Sequence, residues 1–253
     1  KILSGAPLTV DFFEEFMKAN QGKPCFDIMS VHYLRNQDPD SERTKQWRSS
    51  LDKYGRDIPL VNTEEREYRG PDPVKFANDV VKLHVREAKN GVACTYAFQL
   101  FQDHGNYTPN YYSFFALEDI PLPGFAAYRT MTHRLEHAKY AADLSTEGCE
   151  IYLFDRKGVP VIVFWGEDGV KFTLPVEEQN LVLIDLMDRE HKVSGNEFTA
   201  SSEPKFIEGG NLPSLKNWAA ISKTLPEGIS VSPGETVVRR VPFPPSRELI
   251  ALE

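Results

Sequence analysis

Ile58-Pro59-Leu60-Val61-Asn62-Thr63-Glu64-Glu65-Arg66-Glu67 passes from a short apolar run into a cluster of amide, hydroxyl and carboxylate groups. The apolar part has the length and composition of a strand covered on both faces, and the polar part marks its C-terminal end. One unit upstream, Phe26-Asp27-Ile28-Met29-Ser30-Val31-His32-Tyr33 repeats the pattern, and one unit downstream so does Val92-Ala93-Cys94-Thr95-Tyr96-Ala97-Phe98-Gln99. Helical patterns separate them. Ser41 to Tyr54 is a polar helix carrying Trp47 and Leu51. Pro73 starts another through Val74, Ala77, Val80, Val81 and Val85, with Pro in its first turn and Gly91 past its end. Leu8-Thr9-Val10-Asp11 opens a helix through Phe12, Phe13, Phe16 and Met17. A long loop from Phe101 to Leu117 and a helix from Gly124 to His137 follow the third strand. Alternating strands and helices with continuous apolar strands predict a parallel sheet with helices outside it. No Gly-rich loop follows any strand, which removes the simplest nucleotide-binding arrangement.

After Ala138 the period changes. Ile151 to Phe154, Val159 to Trp165, Val170 to Leu174 and Leu181 to Met187 read as short strands, divided by turn signals at Asp155-Arg156-Lys157-Gly158 and Gly166-Glu167-Asp168-Gly169. Closely spaced strands without helices predict an antiparallel β-sandwich. The expected organisation is an α/β unit over 1–137, a sandwich over 138–208, and a further module or tail over 209–253, where Ile229 to Pro242 could add one or two strands.

The chain has 253 residues, 41% hydrophobic and 26% charged, in the ordinary range of globular proteins. No apolar run reaches the roughly 18–20 residues that span a bilayer. With 37 acidic against 29 basic residues the net charge is −8, and the basic residues are scattered, so no nucleic-acid partner is expected. Cys25, Cys94 and Cys149 lie far apart with no CxxC pair, which argues against a zinc site or a disulfide framework. Cys25 and Cys94, flanked by apolar residues, are expected to be buried thiols. Lys1 runs directly into Ile2-Leu3-Ser4-Gly5-Ala6-Pro7, and the natural N-terminus is expected to lie upstream.

Chemistry concentrates at the strand ends. Where strands and helices alternate in a closed barrel, catalytic groups sit at the strands' C-terminal rim, and Glu64 occupies such an end. A carboxylate there can attack an anomeric carbon if a second carboxyl lies about 5 to 5.5 Å away. The plainer alternative is an acidic N-cap and a solvated first helical turn. His32 and Tyr33 end the preceding strand at the same rim, where either could hold a glutamate aligned, or could simply face solvent. Tyr96 to Gln99 and the loop Phe101 to Phe115, with Asp103, His104 and many aromatics, would suit the apolar faces and hydroxyl edges of sugars; packing on the loop's own scaffold explains some of them equally well.

Taken in order, these segments resemble the second half of the clan-A glycoside hydrolases, particularly the β-xylosidase and α-iduronidase type of (β/α)8 barrel with an appended sandwich. Phe26 to Tyr33 is similar to the sixth strand, Ile58 to Glu64 to the seventh with its Thr-Glu pair, and Val92 to Asp103 to the eighth strand and its loop. Leu117 through Pro123-Gly124-Phe125-Ala126-Ala127-Tyr128 resembles the closing loop and last helix, and Val163-Phe164-Trp165 with Val182-Leu183-Ile184-Asp185 resembles the following sandwich. The resemblance implies a retaining hydrolase with Glu64 as nucleophile, and His32, Tyr33, Tyr96, Phe98, Gln99 and Asp103 lining the sugar site. Two positions depart from the family: Leu34 stands where a tyrosine often follows the histidine, and Tyr96 or Phe98 where the eighth strand usually offers Trp.

The family's acid/base glutamate follows an Asn on the fourth strand. The only Asn-Glu pair here, Asn196-Glu197, falls in the sandwich region. The resemblance therefore implies that an N-terminal half of the barrel, as an upstream segment or a second chain, completes the site. It implies neither cofactor nor metal, a carbohydrate substrate rather than nucleic acid or membrane, and an extracellular or periplasmic location. Two other readings stay open: a carbohydrate-binding or structural protein with a degenerate barrel, and an unrelated α/β enzyme or a lyase on a similar barrel, which metal ligands gathered near His32 and His104 would favour.

Overall fold

The computed structural model describes residues 1–7, 9–32, 34, 42–54, 57–65, 72–97, 100, 113–116, 120–176 and 181–222. The first helix, α1 (Val10–Ala19), is capped by Thr9, whose hydroxyl accepts the Phe12 amide. Of its four aromatic and Met positions only Phe13 and Met17, one turn apart, are buried; Phe12 and Phe16 face out. Strand β1 (Met29–His32), helix α2 (Glu42–Asp52) and strand β2 (Leu60–Glu65) follow. Phe13 and Met17 of α1, Trp47 and Leu51 of α2, and Met29, Val31 and Leu60 of the strands form one apolar cluster. Helix α3 (Pro73–Lys89) begins at Asp72, whose carboxylate accepts the Val74 and Lys75 amides, and Pro73 needs no partner there. Strand β3 (Val92–Ala97) and helix α4 (Pro123–Leu135) complete this part.

The three strands are parallel in the order β1-β2-β3. The N-terminal segment lies along the outer edge of β1: Leu3 bridges Ile28 in parallel, and the Ser4 amide donates to the Ile28 carbonyl. Helix α4 packs on α3 through a tight crossing. A Cβ at Gly124 would collide with the Phe76 ring, so the smallest residue is needed there.

The remaining strands are antiparallel: β4 (Lys139–Asp143), β5 (Cys149–Arg156), β6 (Val159–Gly166), β7 (Lys171–Thr173), β8 (Val182–Ile184), β9 (Glu190–Lys192), β10 (Glu197–Thr199) and β11 (Lys205–Glu208). Six of them form one sheet in the order β4-β5-β6-β11-β8-β9, and β7 pairs with β10 separately. The β5–β6 hairpin turns on Lys157 and Gly158, both at positive φ, the geometry a two-residue hairpin loop requires. The centre of the six-stranded sheet, β5, β6 and β11, is buried on both faces, which explains the continuous apolar runs of β5 and β6. Tyr152, Phe154, Val161, Val163 and Trp165 meet α3 and α4, whereas Ile151, Leu153, Ile162 and Phe164 meet Phe172 of β7, Phe198 of β10 and the last helix, α5 (Leu212–Ser222). One core thus runs across the change of period at residue 138.

Ion pairs fasten α3 and α4 to this sheet. Arg86 of α3 grips Glu150 of β5, which also accepts from Tyr152 and Trp165, at 2.6 and 3.0 Å. Lys89 reaches Asp143 of β4, and Arg134 of α4 pairs with Asp188, Glu190 and Glu208.

One expectation needs correction. Cys25 and Cys94 are exposed; only Cys149 is buried, and all three thiols are free. Apolar neighbours in sequence misled, because in β3 Cys94 points to the face of the parallel sheet opposite the helices, beside Val61 and not among the core side chains. Past Gly209, Leu212, Leu215 and Ala219 line the buried side of α5. Ile229 to Pro242 lies outside the described residues.

Candidate active site

Strand β2 carries one residue too many. From Val31 to His32, β1 advances by one residue while its partner in β2 advances by two, from Asn62 to Glu64. On the other side, β3 goes from Thr95 to Ala97 while β2 goes from Asn62 to Glu65. Both neighbours therefore report a β-bulge at Thr63-Glu64, a device that re-aims side chains at strand ends.

The consequence is specific. In a regular strand, side chains alternate faces, so Glu64 would share a face with Asn62, and Glu65 would lie opposite. With the extra residue, Glu64 sits beside His32 on the face away from the helices, and Glu65 joins Asn62 on the helix side. The His32 Nδ1 lies 3.4 Å from the Glu64 Oε2, both side chains being roughly a quarter exposed (32% and 21%). The two bulged residues are held individually. Thr63 Oγ1 is 2.6 Å from Ser30 Oγ and donates to the Val31 carbonyl, and the Glu64 amide donates to Asn62 Oδ1 at 3.4 Å.

Tyr96 lies on β3, 56% exposed, next to Cys94, whose sulfur raises the phenol's pKa by charge first and hydrogen bonding second. The structure thus brings Glu64 and His32 together and leaves Tyr96 open to solvent one strand away. Tyr33, Phe98, Gln99 and Asp103, with His104, lie outside the described residues. A shallow depression of about 430 Å³ between the N-terminal ends of α1 and α2 is lined by Thr9, Asp11, Glu42, Arg43 and Trp47 among others, and not by Glu64. Among the described residues no three His, Cys, Asp or Glu side chains gather to hold a metal.

Behind the bulge is a group that sequence reading missed. Asn62, Glu65 and Glu87 are fully buried. Asn62 Nδ2 donates to Glu65 Oε2 at 2.6 Å and to Glu87 Oε1 at 2.8 Å, and the Thr95 hydroxyl donates to the other Glu87 oxygen. Burial, then the charge of Glu65, holds the Glu87 carboxyl well above its usual range, against the hydrogen bonds from Thr95 and Asn62. The available signal was the pair Asn62 and Glu65 at an odd spacing in a strand, which places both on one face only if the strand is bulged.

No family model matches the sequence, and no curated protein matches it. Solved structures similar to this fold include glycoside hydrolases. One is a family 39 glycoside hydrolase from the gut symbiont Bacteroides cellulosilyticus WH2, with TM-score 0.64 and 13% identity over 76% of this chain and 46% of that one. Others are a family 30 subfamily 8 xylanase from Clostridium acetobutylicum (0.54, 10%, 83% and 56%) and a family 30 endoxylanase from Clostridium papyrosolvens C71 (0.54, 9%, 82% and 55%). The chain spans about half the length of these three structures. At such identities the likeness is one of fold: this chain has a glycoside hydrolase-like fold of parallel and antiparallel sheets with helices.

Proposed function

We propose that this chain carries the nucleophile of a retaining glycoside hydrolase acting on a poly- or oligosaccharide. In this reading β1, β2 and β3 are the last three strands of a (β/α)8 barrel, and the antiparallel strands form its appended sandwich. The acid/base residue belongs to an N-terminal half of the barrel, supplied upstream or by another chain. Glu64 attacks the anomeric carbon to form a glycosyl ester, the acid/base protonates the departing oxygen, and water activated by the same residue then hydrolyses the ester. His32 holds the Glu64 carboxylate in line, and exposed Tyr96 offers a face for the sugar ring. An extracellular or periplasmic setting fits such a substrate.

One observation carries the reading: the bulge in β2 turns Glu64 out at a strand's C-terminal end, against His32, where the barrel enzymes keep their chemistry. The test uses 2,4-dinitrophenyl 2-deoxy-2-fluoroglycosides. Their leaving group departs without an acid, and the fluorine slows the second step so that the ester accumulates. Xylosides come first, because two of the structural relatives are xylanases. Intact mass should show a single glycosyl adduct mapping to Glu64, absent in Glu64→Gln. An adduct elsewhere, or none across a panel of sugars, removes the nucleophile assignment and favours carbohydrate binding without hydrolysis.

A further inference from the structure

A dry interface between a sheet and a helix is a costly place for two carboxyl groups. Glu65 and Glu87 are both fully buried there, and apolar residues of the same size would ordinarily serve such a core better. What the pair does supply is a tie between the irregular end of β2 and the middle of the molecule. Asn62 is the hub: its two amide hydrogens go to the two carboxyls, and its oxygen accepts the backbone amide of Glu64. Glu87 comes from α3, and Thr95 of β3 fixes it from the far side. Glu65 can reach this cluster only because the extra residue at Thr63-Glu64 turns it inward, and the same extra residue turns Glu64 outward.

We propose that Asn62, Glu65 and Glu87 form a latch that holds the β2 bulge and so keeps Glu64 on the open face beside His32; the proposal rests on the reading of Glu64 as nucleophile, with these three as positioning residues. Burial and the neighbouring charge of Glu65 favour the protonated form of Glu87, which can then donate to Glu65. If the latch opens, the buried Glu65 carboxylate loses its partners and is drawn toward water. β2 can then return to regular pairing, which would carry Glu64 to the helix side.

Other ionisable groups near Glu87 are engaged elsewhere. On α3, Arg86 pairs with Glu150 of β5 and Lys89 with Asp143 of β4, and His84 meets the Tyr128 ring of α4. On β3, Cys94 and Tyr96 lie on the opposite face, as does Glu64 on β2.

The test is made by NMR on the isotope-labelled 253-residue chain, with Glu87→Gln, which keeps a donor to Glu65, and Glu87→Met, which keeps the volume alone. In the natural sequence the Thr63 and Glu64 amides should shift together as Glu87 loses its proton with rising pH. Glu87→Gln should leave in place the positions they take when Glu87 is protonated, and abolish that titration. Glu87→Met should displace both amides and the His32 ring signals, and speed amide exchange over Thr63 to Glu65 by about 10–100-fold while α4 and β5 stay protected. The latch is overturned if Glu87→Met leaves these signals unmoved, if Glu87→Gln behaves like Glu87→Met, or if that titration survives in Glu87→Gln. No substrate is involved. A chain that takes no glycosyl adduct but shows these shifts loses the hydrolase reading and keeps the latch, and the reverse result separates them the other way.

Discussion

His84 should make this fold sensitive to mild acid, and replacing it by Phe should remove the sensitivity. The imidazole is mostly buried on α3, its Nδ1 2.7 Å from the Val80 carbonyl and its ring edge-on to Tyr128 of α4. Burial pushes its pKa down from 6.5 to about 4, outweighing the Val80 contact. A base whose folded pKa is depressed contributes stability that is present above its unfolded pKa and lost as pH falls toward the folded one. At about 1.4 kcal/mol per unit, the loss grows from near zero at pH 7 to about 2.5 kcal/mol at pH 4.5 and about 3 at pH 4. Two other sets of groups act nearby and can be told apart. The carboxyls lowered by Arg or Lys partners, such as Asp143, Asp188 and Glu150, lose stability below their unfolded values near pH 4, outside the window. Glu87, whose pKa is raised, works in the opposite direction: its contribution is complete below about pH 4.5 and declines as pH rises. The assay is urea unfolding at intervals from pH 7 to pH 4.5 for the natural sequence and for His84→Phe. The difference in unfolding free energy between them should change by about 2–3 kcal/mol across the window, in favour of the variant as pH falls. Parallel curves would refute the reasoning, since the imidazole would then gain its proton without opposing the fold.

Gly124→Ala should destabilise by about 1–3 kcal/mol in the same urea assay, because the new methyl meets the buried Phe76 ring, and the added helix propensity is smaller than that strain. Phe76→Leu in the Gly124→Ala background should recover part of the loss. Glu150→Gln should cost about 2–4 kcal/mol, since the Arg86 guanidinium keeps its half-buried place without a countercharge and an amide cannot accept from Arg86, Tyr152 and Trp165 together. An effect below about 0.5 kcal/mol would place Glu150 with ordinary surface ion pairs.

The elements that could be read from sequence are those where one physical cause dominates. β5 and β6 are buried on both faces and therefore spell long apolar runs at Ile151 to Phe154 and at Val161 to Trp165, and β2 follows the apolar Ile58 and Leu60, both buried. Helix α3 announces itself through Asp72, Pro73 and the spacing of Ala77, Val80 and Val81. By contrast β9 exposes all three of its residues, and β4 buries none of its five fully, so neither leaves an apolar pattern to find. These strands exist because neighbours pair with them, which is information carried by the partner and not by the segment.

The site divides along the same line. Glu64 and His32 were legible because each ends a recognisable strand, and strand ends are where a parallel sheet exposes its chemistry. Which face each would take was not legible. Counting alternation from Leu60, a helix-side residue, puts Asn62 and Glu64 on the helix side together and Glu65 on the open face with Val61. The structure reverses the last two, and the reversal needs partners 25 and 33 residues away: Glu87, which meets Asn62, and Ser30, which meets Thr63. A bulge is a bargain between distant side chains, and a strand with two adjacent glutamates can satisfy it in one way only. The acid that finds a donor in Asn62 goes inward, and the other is left beside the histidine.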